Sequence, residues 1–166
     1  MKDMMAAYRS QISGVVVTTV VETFNQMLRQ HVTAIASKHP PEPGPDAAVY
    51  ACVRLDQKNT SADFFFSFDR SLLLMTAEAF YSKELSGKDF VQEDIACAVA
   101  NIVGGRVKTF LGRQGYDFDM GIPFVVTKGK GGVADDIIRV HFSFNQNGDN
   151  GLVVNYLVSE KKAATS

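Results

Sequence analysis

The fold of this chain is decided at residues 93–110, which read EDIACAVANIVGGRVKTF. At 3.6 residues per turn, one narrow stripe of a helix collects five of these positions: Asp94, Ala98, Asn101, Gly105 and Lys108. Apolar residues are predicted to cover the other side of the same helix: Ile95, Val99, Ile102, Val103 and Phe110. The pattern therefore predicts a helix that packs with one face and can be approached on the other.

Asn101 and the pair Gly104 and Gly105 are poor choices for helix stability, because each interior Gly costs about 1 kcal/mol relative to Ala. Small residues leave the helix backbone uncovered, so a second protein surface can come close. An amide offers a donor and an acceptor, which can hold a water against an electrophile. The alternative interpretation of Asn101 is a solvated surface residue or a hydrogen bond to another helix.

Length and composition indicate an ordinary soluble domain, which we expect to span residues 5–160. With a formal net charge of −1, the chain is expected to bind neither nucleic acid nor an acidic membrane surface. The apolar run Val15–Val21 is shorter than the ~20 residues of a membrane span. Cys52 and Cys97 form no CxxC pair and follow no secretory leader, which favours a cytoplasmic location.

Other candidate sites are weaker. The three histidines, His31, His39 and His141, have no metal-ligand spacing, so no metal site is expected. The run 128–132 is Gly-rich but lacks the order of a phosphate-binding loop, and a hairpin turn is favoured. Cys97 has no His nearby in sequence and is interpreted as a small hydrophobe, not a nucleophile.

The sequence predicts three main helices. The first covers about residues 6–29, although its β-branched centre would also suit a strand. The second covers 72–81, capped by Asp69 or Ser71, and the third covers 92–112, with Gly112 and Gly115 as stop signals. A polar connection is expected between these two helices, at 82–89.

Strands are predicted in the remaining apolar and aromatic segments. They are expected at 31–37, 48–55, 62–68, 123–127, 137–145 and 152–159, with a proline-rich loop at 38–46, turns at 128–132 and 146–151, and a frayed tail at 160–166. This order favours an α+β fold, an antiparallel or mixed sheet with a long N-terminal helix and two further helices packed on it.

Residues 94–126 resemble the CheX-like members of the CheC/CheX/FliY family of chemotaxis phosphatases. The family motif has an acidic or Ser position, a Glu four residues later, an Asn three further, a Gly turn and a Pro about 22 residues beyond the Asn. Matching positions here are Asp94, Asn101, Gly105, Lys108, Thr109 and Pro123. The stretch Tyr116-Asp-Phe-Asp119 also resembles the family. Ala98 departs from the family, because it occupies the place of the Glu.

The resemblance implies that the helix enters the active site of a phosphorylated CheY-type receiver domain. Asn101 would orient the water that attacks the aspartyl phosphate, with binding contacts from Asp94, Ala98, Gly105 and Lys108. The magnesium would belong to the receiver, so no cofactor is expected in this chain. Without the Glu, docking and activity should be impaired, and Asp94 is the carboxylate that could take over its contact with the receiver Lys.

Two hypotheses follow. The first is a receiver-docking protein with impaired phosphatase activity. The second is a non-catalytic interaction module of the same fold, since Ala suits an interface without charge recognition. A homodimer through the strands at 137–145 or 152–159 is also expected from the resemblance, and Glu22 with Asn25 is interpreted as a coincidental second Glu-x-x-Asn.

Overall fold

The computed structural model describes residues 2–28, 33–37, 48–58, 60–126, 136–144, 148–156 and 158–162. The helices are α1 Lys2–Leu28, α2 Arg70–Phe80, α3 Lys83–Ser86 and α4 Asp89–Arg113. The strands are β1 Thr33–Ser37, β2 Ala48–Gln57, β3 Thr60–Asp69, β4 Asp119–Met120, β5 Phe124–Val125, β6 Asp136–Phe144, β7 Gly148–Tyr156 and β8 Val158–Lys162.

The strands form two sheets in which every described pairing is antiparallel. One sheet has the order β1-β6-β7, and the other has the order β4-β2-β3-β8 with β5 also paired to β2. Strand β3 contacts β7, so the two sheets adjoin. The α+β prediction is confirmed in its antiparallel form, but the strands are divided between two sheets.

The β-branched segment at the centre of α1 is helical. The buried residues of this segment are spaced by steps of three and four positions, which a helix brings to one face and a strand does not: Ile12, Val16, Thr19, Val20, Thr23 and Phe24. Thr19 and Thr23 lie on this face and donate their hydroxyl protons to the carbonyls of Val15 and Thr19, each at 2.6 Å. These bonds satisfy the polar groups that the helix buries.

The core lies between the helices and the β2–β3 hairpin. Helix α4 contacts α1, α2 and β2. Large side chains of β3 and the following segments are fully buried: Phe64, Phe66, Phe68, Leu72, Leu111 and Phe118. Burying a large apolar side chain contributes about 1.5–3 kcal/mol, so this layer fixes the position of α4.

The start of α2 and the end of α4 follow the signals predicted from the sequence. Asp69 caps α2 by accepting a hydrogen bond from the Ser71 N–H at 2.9 Å, so the cap is Asp69 and not Ser71. At the end of α4, Gly115 has φ 95°, while the N–H groups of Gly115 and Tyr116 donate to the carbonyls of Gly112 and Leu111. This Schellman ending stops the helix two residues before Gly115.

Four expectations about elements are wrong. The polar connection at 82–89 contains the short helix α3, because Ser82 caps it by accepting from the Leu85 N–H, so three helices accompany α1 instead of two. The predicted strand at 152–159 is divided between β7 and β8, and part of the expected frayed tail, Glu160–Lys162, pairs with β3. Residues 148–151, expected in a turn, belong to β7.

The expectation that 137–145 offers a free edge for a homodimer is also wrong. Strand β6 pairs with β7 on one side and, at residues 139–143, with β1 on the other, so it is the central strand of its sheet. Homodimer formation itself stays a prediction. The proline-rich loop 38–46, the turn 128–132, and His31 and His39 lie outside the described residues.

Candidate functional site

The predicted stripe lies on the outer face of α4. Asp94, Ala98, Asn101 and Lys108 are all exposed, and Gly105 is half-buried between them. Asn101 is the central residue of this 25-residue helix, with 12 residues on either side. The structure therefore brings the five predicted site residues together on one accessible surface.

The opposite face of α4 holds the helix on the protein. Ile95, Val99 and Val103 are buried as predicted, together with other small and apolar residues: Ala96, Ala100, Val107 and Leu111. Asn101 therefore projects from a helix whose back is packed along its whole length.

Of the five residues predicted for the packed face, Phe110 packs against the core although it is only half-buried, whereas Ile102 is exposed. Ile102 is 40% exposed. Phe110 is half-buried, and its ring meets the ring of Tyr8 edge-on at 5.9 Å. Ile102 lies only one residue, about 100°, from Asn101, so the stripe has an apolar border on this side.

Phe90 is a further exposed residue that the sequence analysis missed. Its ring is 58% exposed. It lies 11 residues before Asn101, which is about three turns, so it falls on the same stripe. The spacing was readable in the sequence, but the helix was predicted to begin only at Gln92.

The two adjacent glycines serve different purposes. A Cβ atom at Gly104 would lie 2.9 Å from Val53 Cγ1 and 3.2 Å from Met120 Sδ, so Gly104 permits the close contact of α4 with β2. A Cβ atom at Gly105 would meet nothing within 4 Å. Internal packing therefore does not require Gly105. Because it has no side chain, nothing projects from the helix at this position beside Asn101.

Cys97 is half-buried on the edge of the stripe. Burial raises the pKa of the Cys97 thiol, and the charges of Asp94 and Glu93 raise it further. The reactive form of cysteine is the thiolate, which this environment disfavours. Cys97 therefore offers no activated nucleophile, in agreement with its interpretation as a small hydrophobe.

Glu22 and Asn25, the second Glu-x-x-Asn, lie on α1. Glu22 is exposed and Asn25 is half-buried. Glu22 borders an open cleft of about 500 Å³ between α1 and α4, whose opposite wall includes Arg106 and Arg113. None of the five stripe residues lines this cleft, so the two features are separate.

Among the residues that the structure describes, no group of three or more His, Cys, Asp or Glu side chains could hold a metal ion. Helix α4 is long and apolar enough to cross a membrane by length and composition alone. Its buried apolar residues pack against α1, α2 and β2, whereas Phe90 and Ile102 are exposed.

The sequence matches no protein-family model and no curated protein. The structure, however, is similar to solved structures. One is the chemotaxis protein CheX from Vibrio vulnificus, with 19% identity, a TM-score of 0.60, and 88% of this chain and 99% of that chain covered.

Two further structures share the arrangement. A chain of the CheX-CheY-BeF3-Mg2+ complex from Borrelia burgdorferi has 16% identity, a TM-score of 0.64 and coverage of 87% of this chain and 96% of that chain. FliY from Thermotoga maritima has 14% identity, a TM-score of 0.58 and coverage of 94% and 88%. The long α1, the packed α4 and the antiparallel sheets of this chain thus form the CheX-like fold of the CheC, CheX and FliY proteins.

Proposed function

We propose that this chain docks α4 on a phosphorylated receiver domain, where Asn101 positions the water that attacks the aspartyl phosphate. The observation that carries the proposal is the exposed amide at the centre of a helix that is packed along its back. Support for the partner comes from the structural similarity to a complex whose components are CheX and CheY.

Asn101 has the surroundings that water positioning requires. Its neighbours one turn away on the stripe, Ala98 and Gly105, project little, so a concave active site can close over the amide. Phosphoryl transfer needs little covalent chemistry from the protein, because placement of the water and electrostatics provide most of the acceleration. The magnesium ion belongs to the receiver in this proposal, and this chain needs no cofactor.

Ala98 limits the expected activity. A carboxylate at this position would offer a charge-assisted hydrogen bond to a receiver Lys, of the kind that contributes about 1.5–3 kcal/mol. Asp94 lies one turn earlier on the same face and can offer a carboxylate, but from a shorter side chain and another angle. We therefore expect receiver binding with slow dephosphorylation.

The second candidate is a non-catalytic interaction module of the same fold. It is favoured by Ala98 and by two exposed apolar residues, Phe90 on the stripe and Ile102 at its border, which suit an interface without charge recognition. A shared fold does not decide between the two, because function depends on the site.

The test is the lifetime of the aspartyl phosphate on the host's receiver domains, measured with and without this protein. The proposal expects a shorter lifetime, and expects Asn101→Ala to remove the effect while leaving the fold intact. If the protein neither binds any receiver nor changes any lifetime, the proposal is wrong. Binding with an unchanged lifetime supports the interaction module.

A further inference from the structure

The charges on the stripe are arranged symmetrically about Asn101. Asp94 lies seven residues before Asn101 and Lys108 seven residues after it. Seven residues are about 10.5 Å of helix and 20° short of two full turns, so both charges lie almost in line with the amide. Both side chains are exposed, and neither has a hydrogen-bond or ion-pair partner among the described residues.

Between these two charges the stripe is uncharged. Within about 60° of Asn101 around the helix, the residues from Phe90 to Gly112 are small, apolar or buried apart from Asp94 and Lys108. Arg106 is exposed but lies about 140° from Asn101, on the wall of the α1–α4 cleft. The surface around the amide therefore has a negative end and a positive end.

The helix macrodipole does not account for this pair. Acidic residues near a helix start and basic residues near its end are stabilising, but the effect falls off within the first and last turn. In α4 those turns contain Asp89 and Arg113. Asp94 and Lys108 are each the sixth residue from an end of the helix, beyond this range.

We propose that Asp94 and Lys108 set the direction in which the partner lies along α4. This inference rests on the proposed function, and it takes the partner to be the active-site face of a phosphorylated receiver domain. That face must present a cationic group near Asp94 and an anionic group near Lys108. In the reversed orientation, like charges would meet at both ends, which complementary interfaces avoid.

The distance between Asp94 and Lys108 lets the two charges act independently of each other. Asp94 and Lys108 are about 21 Å apart along the helix, which is more than twice the Debye length of about 8 Å at physiological ionic strength. Each charge therefore acts on its own part of the partner. Asn101 has small residues on both sides, so the amide alone cannot distinguish the two orientations of the partner along α4.

The experiment measures binding of Asp94→Lys, Lys108→Glu and the double variant to receivers activated with beryllofluoride and Mg2+. We expect each single reversal to lower the association rate about tenfold at low salt, and to weaken its dependence on ionic strength. Because the sites are far apart, the double variant should lose about a hundredfold.

Arg106→Glu is the matched control for Lys108→Glu, since it reverses an exposed charge on the same helix but outside the stripe. Glu78→Lys on the exposed face of α2 is the control for Asp94→Lys. Both controls should bind within about twofold of the wild type. Thermal unfolding of all variants separates a binding effect from misfolding.

The outcomes distinguish this inference from the proposed function. If the wild type binds a receiver and both stripe reversals bind as well as the controls, the charge pair does not set the direction and the docking proposal stands. If the wild type binds no receiver in the host's set, both proposals are overturned. If the controls lose as much as the stripe variants, the effect is one of net charge, and the inference is again wrong.

Discussion

Gly104 of α4 faces Val53 of β2 so closely that an added Cβ atom would lie 2.9 Å from Val53 Cγ1. The contact holds the helix backbone close to the sheet along one side of the stripe, because Gly104 lies about 60° around the helix from Asn101. The adjacent Gly105 has no such neighbour, so the two glycines differ in their packing although they follow each other in the sequence.

Gly105→Ala is therefore expected to stabilise the protein, whereas Gly104→Ala is not. Ala gains about 1 kcal/mol over Gly in a helix interior. At Gly105 this gain should appear in full, because the added methyl group meets nothing within 4 Å. At Gly104, overpacking of the contact with Val53 costs about 1–3 kcal/mol and should cancel or exceed the gain. Urea unfolding of the two variants measures the difference, and equal stabilisation by both would contradict this account of α4 packing.

Asn101→Ala should leave the fold unchanged and remove the effect on the receiver. The side chain is exposed, and such surface substitutions usually alter the free energy of unfolding by less than about 0.5 kcal/mol. The wild type should shorten the lifetime of a receiver aspartyl phosphate, and the variant should return it to the spontaneous value. The loss should appear in the hydrolysis rate while binding changes little. A variant that hydrolyses as fast as the wild type would exclude Asn101 as the water-positioning residue.

Ala98→Glu should increase the rate of receiver dephosphorylation. The position is exposed and one turn from Asn101, so the carboxylate can reach a receiver Lys. A charge-assisted contact of about 1.5–3 kcal/mol corresponds to a gain of roughly 10- to 150-fold if it is made fully in the transition state. Ala98→Gln is the matched control, since it has a similar size without the charge. Unchanged binding together with no activity in either variant would favour the non-catalytic module.

Cys52 should make the protein lose stability at high pH. Burial and the nearby charge of Asp63 raise the pKa of the Cys52 thiol from 9.0 to about 12, although Arg54 opposes the shift. The folded state therefore keeps a proton that the unfolded state releases. Stability is fully retained below pH 9 and falls between pH 9 and 12, by up to about 1.4 kcal/mol per pH unit.

The measurement is urea unfolding of the wild type and Cys52→Ala across this range, because other groups also titrate there. Their difference isolates the thiol. The destabilisation caused by Cys52→Ala should shrink as the pH rises above 9. A difference that does not change with pH would show that the Cys52 thiol ionises equally in both states.

Cys97 provides a probe of Asp94. The pKa of the Cys97 thiol is raised first by burial and then by Asp94 and Glu93. Removing one carboxylate charge should therefore lower this pKa and increase the thiolate fraction at pH 8. We expect Asp94→Asn to react faster with a thiol reagent than the wild type. Cys97→Ser identifies the reacting group, and equal rates for the first two proteins would mean that Asp94 does not influence the thiol.

Much of the fold could be predicted because its signals are local. The three- and four-residue spacings of Val17, Val20 and Phe24 indicate one face of a helix. Asp69 and Gly115 mark helix ends through bonds to residues close to them in sequence. The short helix α3 was missed because its apolar content is low and its Ser82 cap lies in a run of polar residues. The division of residues 148–162 into β7 and β8 depends on pairing with distant strands, which no local pattern reports.

Within the candidate site, residue spacing alone is enough to predict the stripe. Alternating spacings of four and three residues place five positions on one side of any straight α-helix, whatever surrounds it: Asp94, Ala98, Asn101, Gly105 and Lys108. Spacing cannot tell which of the two neighbouring glycines is a packing residue and which is open surface, because this depends on the strand that lies against the helix. The tertiary structure also exposed Ile102 and buried Gly104, because these depend on where β2, with Val53, meets the helix. Helical periodicity fixes the direction in which each side chain leaves the helix. Burial of that side chain depends on the elements that pack against the helix.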